Sequence, residues 1–492
     1  MSLVNLPSSV ACKNLIGGEW RDASGDARID VVSPYTGASI GTVPMSTTAD
    51  VDAAASAAKT AAAEWRLVPL KERTQTLFRF RELVLKHADE LSHLAASECG
   101  KTVAEAHAGV MKGIEVIEYA LSIQNMDQGG HLEVSRGVTC EYRREPLGVV
   151  AGITPFNFPA MVPMWLYPTA VTLGNAFILK PSEKVPLTAD LSGKLMLEAG
   201  YPPGVFSIVH GGRASVEAIC DHPDIASVGF VGSTAIAKTV YARATANGKR
   251  ALCLGGAKNH LIVVPDADPE VTIDGVVRSY VGCAGQRCMA ASLMLAVGDC
   301  DDLIDKIVAH AGTIELGRDM GAIIEKAAFE RLHSDIGQAV EQGAKLRLDG
   351  RKVSPPEGYD GGYWLAPSVL DHASMKMDCA NRELFGPILT IVRVPTLDDA
   401  LALQEQTPYG NACSVFTTRG ATARYVAERS QAAMVGINIG VPVPREPFSF
   451  GGAKDSRFGS GDITGAGGLE LFSQMKKITS KWALQPDQTW MS

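Results

Sequence analysis

The residues best suited to chemistry lie in Gly282-Cys283-Ala284-Gly285-Gln286-Arg287-Cys288-Met289-Ala290. Cys288 has small neighbours, an arginine before it and glycine close by. An adjacent cation favours the thiolate, the nucleophilic form of cysteine. The bland alternatives are strong: free cysteine is usually a small buried hydrophobe, and a lone arginine is usually solvated or ion-paired. A second stretch, Gly232-Ser233-Thr234-Ala235-Ile236-Ala237-Lys238-Thr239, approaches the phosphate loop of NTPases but has alanine where the second glycine is needed. That loop wraps backbone N–H groups around phosphates and requires the glycine, which argues against an NTPase. GxGxxG occurs nowhere. What remains is a strand, Val228–Val231, turning at Gly232-Ser233 into a helix near Thr234, a place to hold a pyrophosphate or simply an ordinary turn.

The elements that would position these residues follow from periodicity. Alanine-rich Ala53–Trp65 reads as a helix with Thr47, Thr48 and Asp50 as capping candidates. A longer helix follows Pro69, with an apolar stripe running from Leu77 to Leu94, and a further one spans Val103 to Met126. Alternation from His131 to Arg144 predicts a β-ribbon. From Leu147 onward short apolar strands alternate with helices: Val149–Thr154, Ala176–Lys180, Val205–Val209, Ser227–Val231 and Leu261–Val264, with helices at Pro159–Leu173 and Leu187–Glu198. A second series after Cys288 places helices at Asp302–His310, Lys326–Gln342, Leu397–Gln406 and Thr422–Ser430, and strands at Leu389–Val394, Cys413–Thr417 and Val435–Ile439. The expected fold class is therefore α/β, with two parallel sheets and a ribbon.

Composition narrows the function classes. The 492 residues are 46% hydrophobic and carry 46 basic against 54 acidic side chains, a net charge of −8 dispersed along the chain. No concentrated basic surface is available to neutralise phosphates, so nucleic acid is not expected as a partner. Ten scattered cysteines without CxxC or zinc-finger spacing exclude a disulfide scaffold and a structural zinc, and no metal site is expected. The start of the chain, Met1 to Trp20, lacks the pattern of a secretion or transit signal, and a reducing cytoplasm is expected. Gly148 to Leu179 is free of charge and long enough for a membrane span, but Pro155, Pro159, Pro163 and Pro168 interrupt it. A buried strand, turn and packed helix are expected there, and no membrane partner.

Five motifs occur in order: Ile153-Thr154-Pro155-Phe156-Asn157-Phe158-Pro159, Leu179-Lys180-Pro181-Ser182-Glu183, Gly229-Phe230-Val231-Gly232-Ser233, Gly285-Gln286-Arg287-Cys288 and Glu383-Leu384-Phe385-Gly386-Pro387. Together they resemble the NAD(P)-dependent aldehyde dehydrogenase superfamily over essentially the whole chain. The resemblance implies a Rossmann-like cofactor domain (residues 1–128 and 147–255), a catalytic α/β domain (256–443) and an oligomerisation ribbon and tail (129–146 and 470–492), in a homodimer or homotetramer. It makes Cys288 the nucleophile, with the Asn157 amide and the Cys288 N–H holding the oxyanion; alone, Asn157 reads as a turn or capping residue. It implies that Lys180 and Glu183 bind the adenosine ribose and Glu383 the nicotinamide ribose, with Thr154, Phe156, Lys184, Ser233, Gly255 and Phe385 along the same groove. Glu183 would repel a 2′-phosphate, which favours NAD over NADP.

One family feature is missing. Hydrolytic members carry a glutamate in Leu-Glu-Leu-Gly-Gly-Lys that activates water, whereas this chain has Cys253 or Leu254 there, depending on whether the glycines or the lysine are aligned. Neither side chain is a general base for water. Coenzyme A is then the expected acyl acceptor. Gly256-Ala257-Lys258-Asn259-His260, together with Val441-Pro442-Val443-Pro444 and Phe448-Ser449-Phe450, is similar to the CoA-acylating methylmalonate-semialdehyde dehydrogenases, which also act on malonate semialdehyde. That resemblance implies Lys112 and Arg287 as grips for the carboxylate of a small anionic aldehyde. Lys112 stands where the subfamily has arginine and lacks the bidentate fork, and leucine at 254 also departs from the subfamily. Competing expectations are a hydrolytic dehydrogenase of another small acidic aldehyde and a catalytically silent binding protein on the same fold.

Overall fold

The computed structural model describes residues 3–127 and 129–482. Residues 1, 2 and 128 of the expected cofactor domain, and 483–492 of the expected tail, lie outside the described residues.

Five parallel strands form the centre of an eight-stranded sheet: Val149–Ile153, Ala176–Lys180, Phe206–Ile208, Ile225–Val231 and Arg250–Leu254. The first lies in the middle. The next two extend the sheet to one side and the last two to the other. Helices Met161–Thr172, Pro186–Glu198, Arg213–Asp221 and Thr234–Ala246 make the crossovers. Helices on both faces explain why Val149–Ile153 and Ala176–Lys180 are buried at every position and read as continuous apolar runs. The strand order reverses between Val149–Ile153 and Ile225–Val231, so a crevice opens at their carboxyl ends, beside Thr154 and Gly232.

The charge-free segment resolves into a strand, a turn and the buried helix Met161–Thr172, and no helix among the described residues is long and apolar enough to cross a membrane. Short antiparallel strands close the sheet edges, Asn14–Ile16 and Glu19–Arg21 at one side and Arg457–Phe458 at the other.

The chain leaves this sheet at Leu254 and enters a second one at His260. Its seven strands run, in spatial order, Lys345–Leu348, Ser368–Asp371, Ile388–Val394, Leu293–Val297, His260–Val263, Ala412–Phe416 and Met434–Ile437. All pairs are parallel except the first. His260 lies level with Leu293 and Cys413, so the residues just before these three strands converge at one edge.

Gly130–Ser135 and Val138–Pro146 form the expected ribbon, and Ser473–Lys481 pairs along the whole of its second strand to make a third. The stripe from Leu77 to Leu94 belongs to two helices rather than one, Leu70–Lys86 and Ala88–Cys99. The helix breaks at His87, which leaves helical geometry (φ −102°, ψ 17°) and turns its ring to Glu90, Nδ1 to Oε2 2.8 Å. The last strand of the second sheet stops at Ile437, short of the expected Ile439. Asn438 adopts φ +56° there, and its side chain takes both the N–H and the carbonyl of Thr417.

Candidate active site

The loop that leads to Cys288 is built under strain. Helix Pro269–Val281 ends at Gly282, and Cys283, Ala284 and Gly285 follow with φ of +55°, +52° and +69°. Left-handed geometry costs a non-glycine residue about 1 kcal/mol or more, so it persists only where neighbours enforce it. Glu105 accepts the Cys283 N–H at 2.6 Å. Gln286 donates from Nε2 to the Ala322 carbonyl (3.2 Å), and its Oε1 receives the Ile324 N–H (2.9 Å). Gly285 lies so close to Gly386 that a Cβ would meet that carbonyl oxygen at 2.1 Å.

Beyond this turn, Cys288 is half-buried at the converging edge of the second sheet. Its carbonyl accepts from Asn259 Nδ2 (2.7 Å) and Asn411 Nδ2 (3.0 Å), and Asn259 Oδ1 receives the Ala412 N–H (3.0 Å). The thiol position is thus tied to two strands.

Asn157 arrives from the first sheet, on the loop after Val149–Ile153. Its Nδ2 donates to the Gln286 carbonyl at 2.9 Å, which leaves the second amide proton free two residues from the thiol in sequence. Burial, followed by the Glu383 carboxylate, pushes the Cys288 thiol up to about 12. The thiol's own backbone N–H, the Arg287 cation and the Met289 N–H act in the opposite direction and are outweighed. Glu383 accepts the Ala257 N–H at 3.1 Å, and burial pushes its carboxyl up to about 7. Phe385, two residues on, takes φ +58° and sets its ring edge-on against Phe156, with centroids 5.8 Å apart. Bulky residues rarely adopt that backbone region outside functional sites.

The crevice at the strand-order reversal collects the remaining predicted groove residues. Lys180, at the end of its strand, donates to Glu183 at 2.9 Å. Burial works to raise the Glu183 carboxyl, but Lys180, a backbone N–H and Lys184 outweigh it and hold it below the usual carboxylate range. Lys184 bonds Glu325 at 2.6 Å and lies 5.4 Å from the Phe156 ring centre. Ser233 precedes helix Thr234–Ala246 without capping it, so the first N–H groups of that helix are free of a side-chain cap. The Thr154 hydroxyl is buried without a protein partner. At Gly255 a Cβ would come within 2.8 Å of the Asp455 carbonyl oxygen, and at Gly256 within 2.2 Å of the Glu383 carboxylate. A polar, tight-walled groove with an uncapped helix start and an ionised carboxylate at Glu183 fits a dinucleotide with a free ribose diol.

Two expectations change. Arg287 does not bring the thiol below its usual range, because burial dominates. Its Nη2 is bound to the carbonyls of Arg278 and Ser279 (3.1 Å to the latter), at the carbonyl end of helix Pro269–Val281, while its Nε is buried without a protein partner. Lys112 is not a free cation: its Nζ lies 2.9 Å from Glu115 and 2.8 Å from Glu446. The ambiguity between Cys253 and Leu254 is also decided. Leu254 packs in the apolar cluster that includes Cys288, whereas Cys253 faces the opposite side of the strand with Cys220. His260 is fully buried and neutral, burial and then Lys258 pushing it down to about 3.

Glu105, Asn259, Gln286, Asn411 and Glu446 had no assigned role in the sequence. The first three lie in recognisable motifs: a Thr102-to-Glu105 capping box, the Gly256–His260 stretch and the cysteine motif. Asn411 and Glu446 have no local signal.

The model of the aldehyde dehydrogenase family matches residues 20–478. Over 488 residues the chain is 40% identical to malonate-semialdehyde dehydrogenase 1 of Geobacillus kaustophilus, covering 97% of this chain and 99% of that protein. It is 42% identical over 476 residues to the acylating mitochondrial methylmalonate-semialdehyde dehydrogenase of Arabidopsis thaliana, covering 95% and 78%. Among solved structures, a Sinorhizobium meliloti protein described as a methylmalonate-semialdehyde dehydrogenase, complexed with NAD, superposes with a TM-score of 0.96 at 38% identity, covering 98% of this chain and 99% of that one. Sequence and fold agree: this chain belongs to the aldehyde dehydrogenase family.

Proposed function

We propose that the protein oxidises a short semialdehyde acid, malonate or methylmalonate semialdehyde, with NAD and passes the acyl group to coenzyme A. The observation that carries the choice of acceptor is Leu254: the residue that falls at the position of the water-activating glutamate and packs in the same apolar cluster as Cys288 is not a carboxylate. The names of the relatives agree with it.

In this reading Cys288 attacks the aldehyde carbon, a C–S bond forms and the carbonyl electrons move to oxygen. The free Asn157 amide proton and the Cys288 N–H meet that oxyanion, an arrangement worth about 3 kcal/mol in the barrier. NAD, when bound, supplies the hydride acceptor. Thr154, Lys180, Glu183, Ser233, Gly255 and Glu383 hold it, and Phe156 and Phe385 wall the nicotinamide end. The thioester left on Cys288 stabilises the electrons released when the substrate carboxylate departs as CO2, the α carbon takes up a proton from solvent, and the CoA thiolate then displaces Cys288 as thiolate. Glu183, ionised and facing the ribose, supports NAD over NADP.

A hydrolytic reading has one observation in its favour, the Glu383 carboxyl near neutral pKa beside the thiol, but that carboxylate is bound to the Ala257 N–H. Assay of malonate semialdehyde with and without CoA separates the two. Sustained NADH formation that requires CoA and yields acetyl-CoA and CO2 is expected; free acid formed at the same rate without CoA refutes the proposal.

With this function goes a division into a cofactor domain (1–128 and 147–255), a catalytic domain (256–443) and a pairing ribbon with its tail, in a homo-oligomer. The exposed Leu132 and Val134 on the ribbon support pairing. Ten free thiols support a cytoplasmic location.

A further inference from the structure

Lys112 and Glu446 join helix Val103–Met126 to the segment that follows strand Met434–Ile437. Lys112 sits on helix Val103–Met126, one turn beyond Gly109, where a Cβ would lie 3.6 Å from the Phe158 ring, and next to Gly113, where a Cβ would lie 2.5 Å from Met164 Sδ. Phe158 directly follows Asn157. Glu446 lies on the segment between Val441, which like Phe158 and Cys288 packs against the apolar core of the first sheet, and Phe450, whose ring is tilted against Trp165 with centres 4.6 Å apart. The ion pair is 2.8 Å long and both side chains are largely withdrawn from water, 17% and 10% exposed. Glu115 holds the same ammonium at 2.9 Å, and Arg445 stands 3.9 Å from Glu115. Two carboxylates and two cations leave no net positive charge, so an incoming anion meets a cation already satisfied.

We propose that Glu446 is a specificity-determining residue that occupies Lys112 in place of the distal carboxylate of an anionic aldehyde, so that such a ligand binds only by displacing Glu446 from the ammonium. A free ligand carboxylate and Glu446 have the same chemistry toward Lys112, and an ammonium without a fork does not hold both bidentately. Removing the Glu446 charge therefore releases the Lys112 ammonium for the ligand while Glu115 still holds it from the other side. The inference rests on the semialdehyde-acid reading only in its choice of anion, not on whether CoA or water takes the acyl group.

The test is direct binding, independent of turnover: calorimetric titration of malonate into the full-length, NAD-loaded protein at fixed ionic strength. Glu446→Gln is expected to tighten malonate about tenfold, the scale of a desolvated charge contact. The gain is expected to vanish when Lys112→Met is added. Glu446→Ser removes the same charge with a smaller side chain and serves if the glutamine variant does not fold. Unchanged or weaker malonate binding in the folded variant overturns the proposal, as does an equal gain in the Lys112→Met background. Failure of the functional reading is seen separately, as semialdehyde turnover indifferent to CoA.

Discussion

At Cys288 opposing influences meet on one sulfur. Backbone N–H groups and Arg287 favour the thiolate, while burial and the Glu383 carboxylate disfavour it and prevail. A thiol pushed up to about 12 is protonated at neutral pH, and its reactive form gains population as pH rises. Iodoacetamide alkylation of Cys288 in the cofactor-free protein, followed by mass spectrometry, is expected to be slow at pH 7 and to accelerate steadily through pH 10. Glu383, whose carboxyl titrates near 7, adds a like charge above that pH. Glu383→Gln removes it and is expected to raise the alkylation rate at pH 9 severalfold; an unchanged rate would show that the carboxylate does not act on the thiol.

Among the elements, helix Val103–Met126 acts at two places. Its capping box, formed by Thr102 and Glu105, starts the helix, and the second oxygen of the same carboxylate receives the Cys283 N–H in the strained turn. One side chain thereby ties the helix that carries Lys112 to the loop that leads to Cys288. Glu105→Ala removes a cap, worth about 1 kcal/mol, and leaves a buried N–H unpaired, worth about 1–3 kcal/mol. The variant is expected to melt several degrees lower and to lose kcat more than KM changes, because left-handed Cys283 and Ala284 are then unsupported. Glu105→Gln keeps an acceptor and is expected to recover most of kcat. Equal losses in both variants would mean that the charge, not the hydrogen bond, is what matters.

For the whole molecule, two sheets meet at one site: the carboxyl ends of the first present Thr154, Asn157 and Ser233, and the leading edge of the second presents Asn259, Cys288 and Asn411. The ribbon stands apart from this junction, and its Leu132 and Val134 are 66% and 51% exposed on one face. Because neither is buried within the chain, Leu132→Asp with Val134→Asp is expected to leave the fold intact and to reduce the mass in solution to that of one chain by light scattering. A mass unchanged by the pair would overturn the proposal that this face of the ribbon pairs subunits.

Local sequence carried much of this. The uniformly apolar strands Ala176–Lys180 and Val149–Ile153 and the helix Leu397–Gln406 are legible because burial on both faces and capping leave their marks within a few residues. The five motifs likewise singled out Cys288, Asn157, Glu183 and Glu383, since a candidate role demands a residue type in a short fixed context. The short N-terminal strands left no comparable mark, and neither did the break at His87, where the apolar stripe runs on through both helices. What tertiary structure alone decided is which groups meet and which way side chains face: Glu446 on Lys112, 334 residues apart; Asn411 on the Cys288 carbonyl, 123 apart; Arg287 Nη2 on the end of the helix that precedes it; Leu254 and Cys253 in different apolar clusters on opposite sides of their strand. The physical reason is that the charge state and aim of a side chain depend on its solvent exposure and its partners, and neither is a property of its neighbours along the chain.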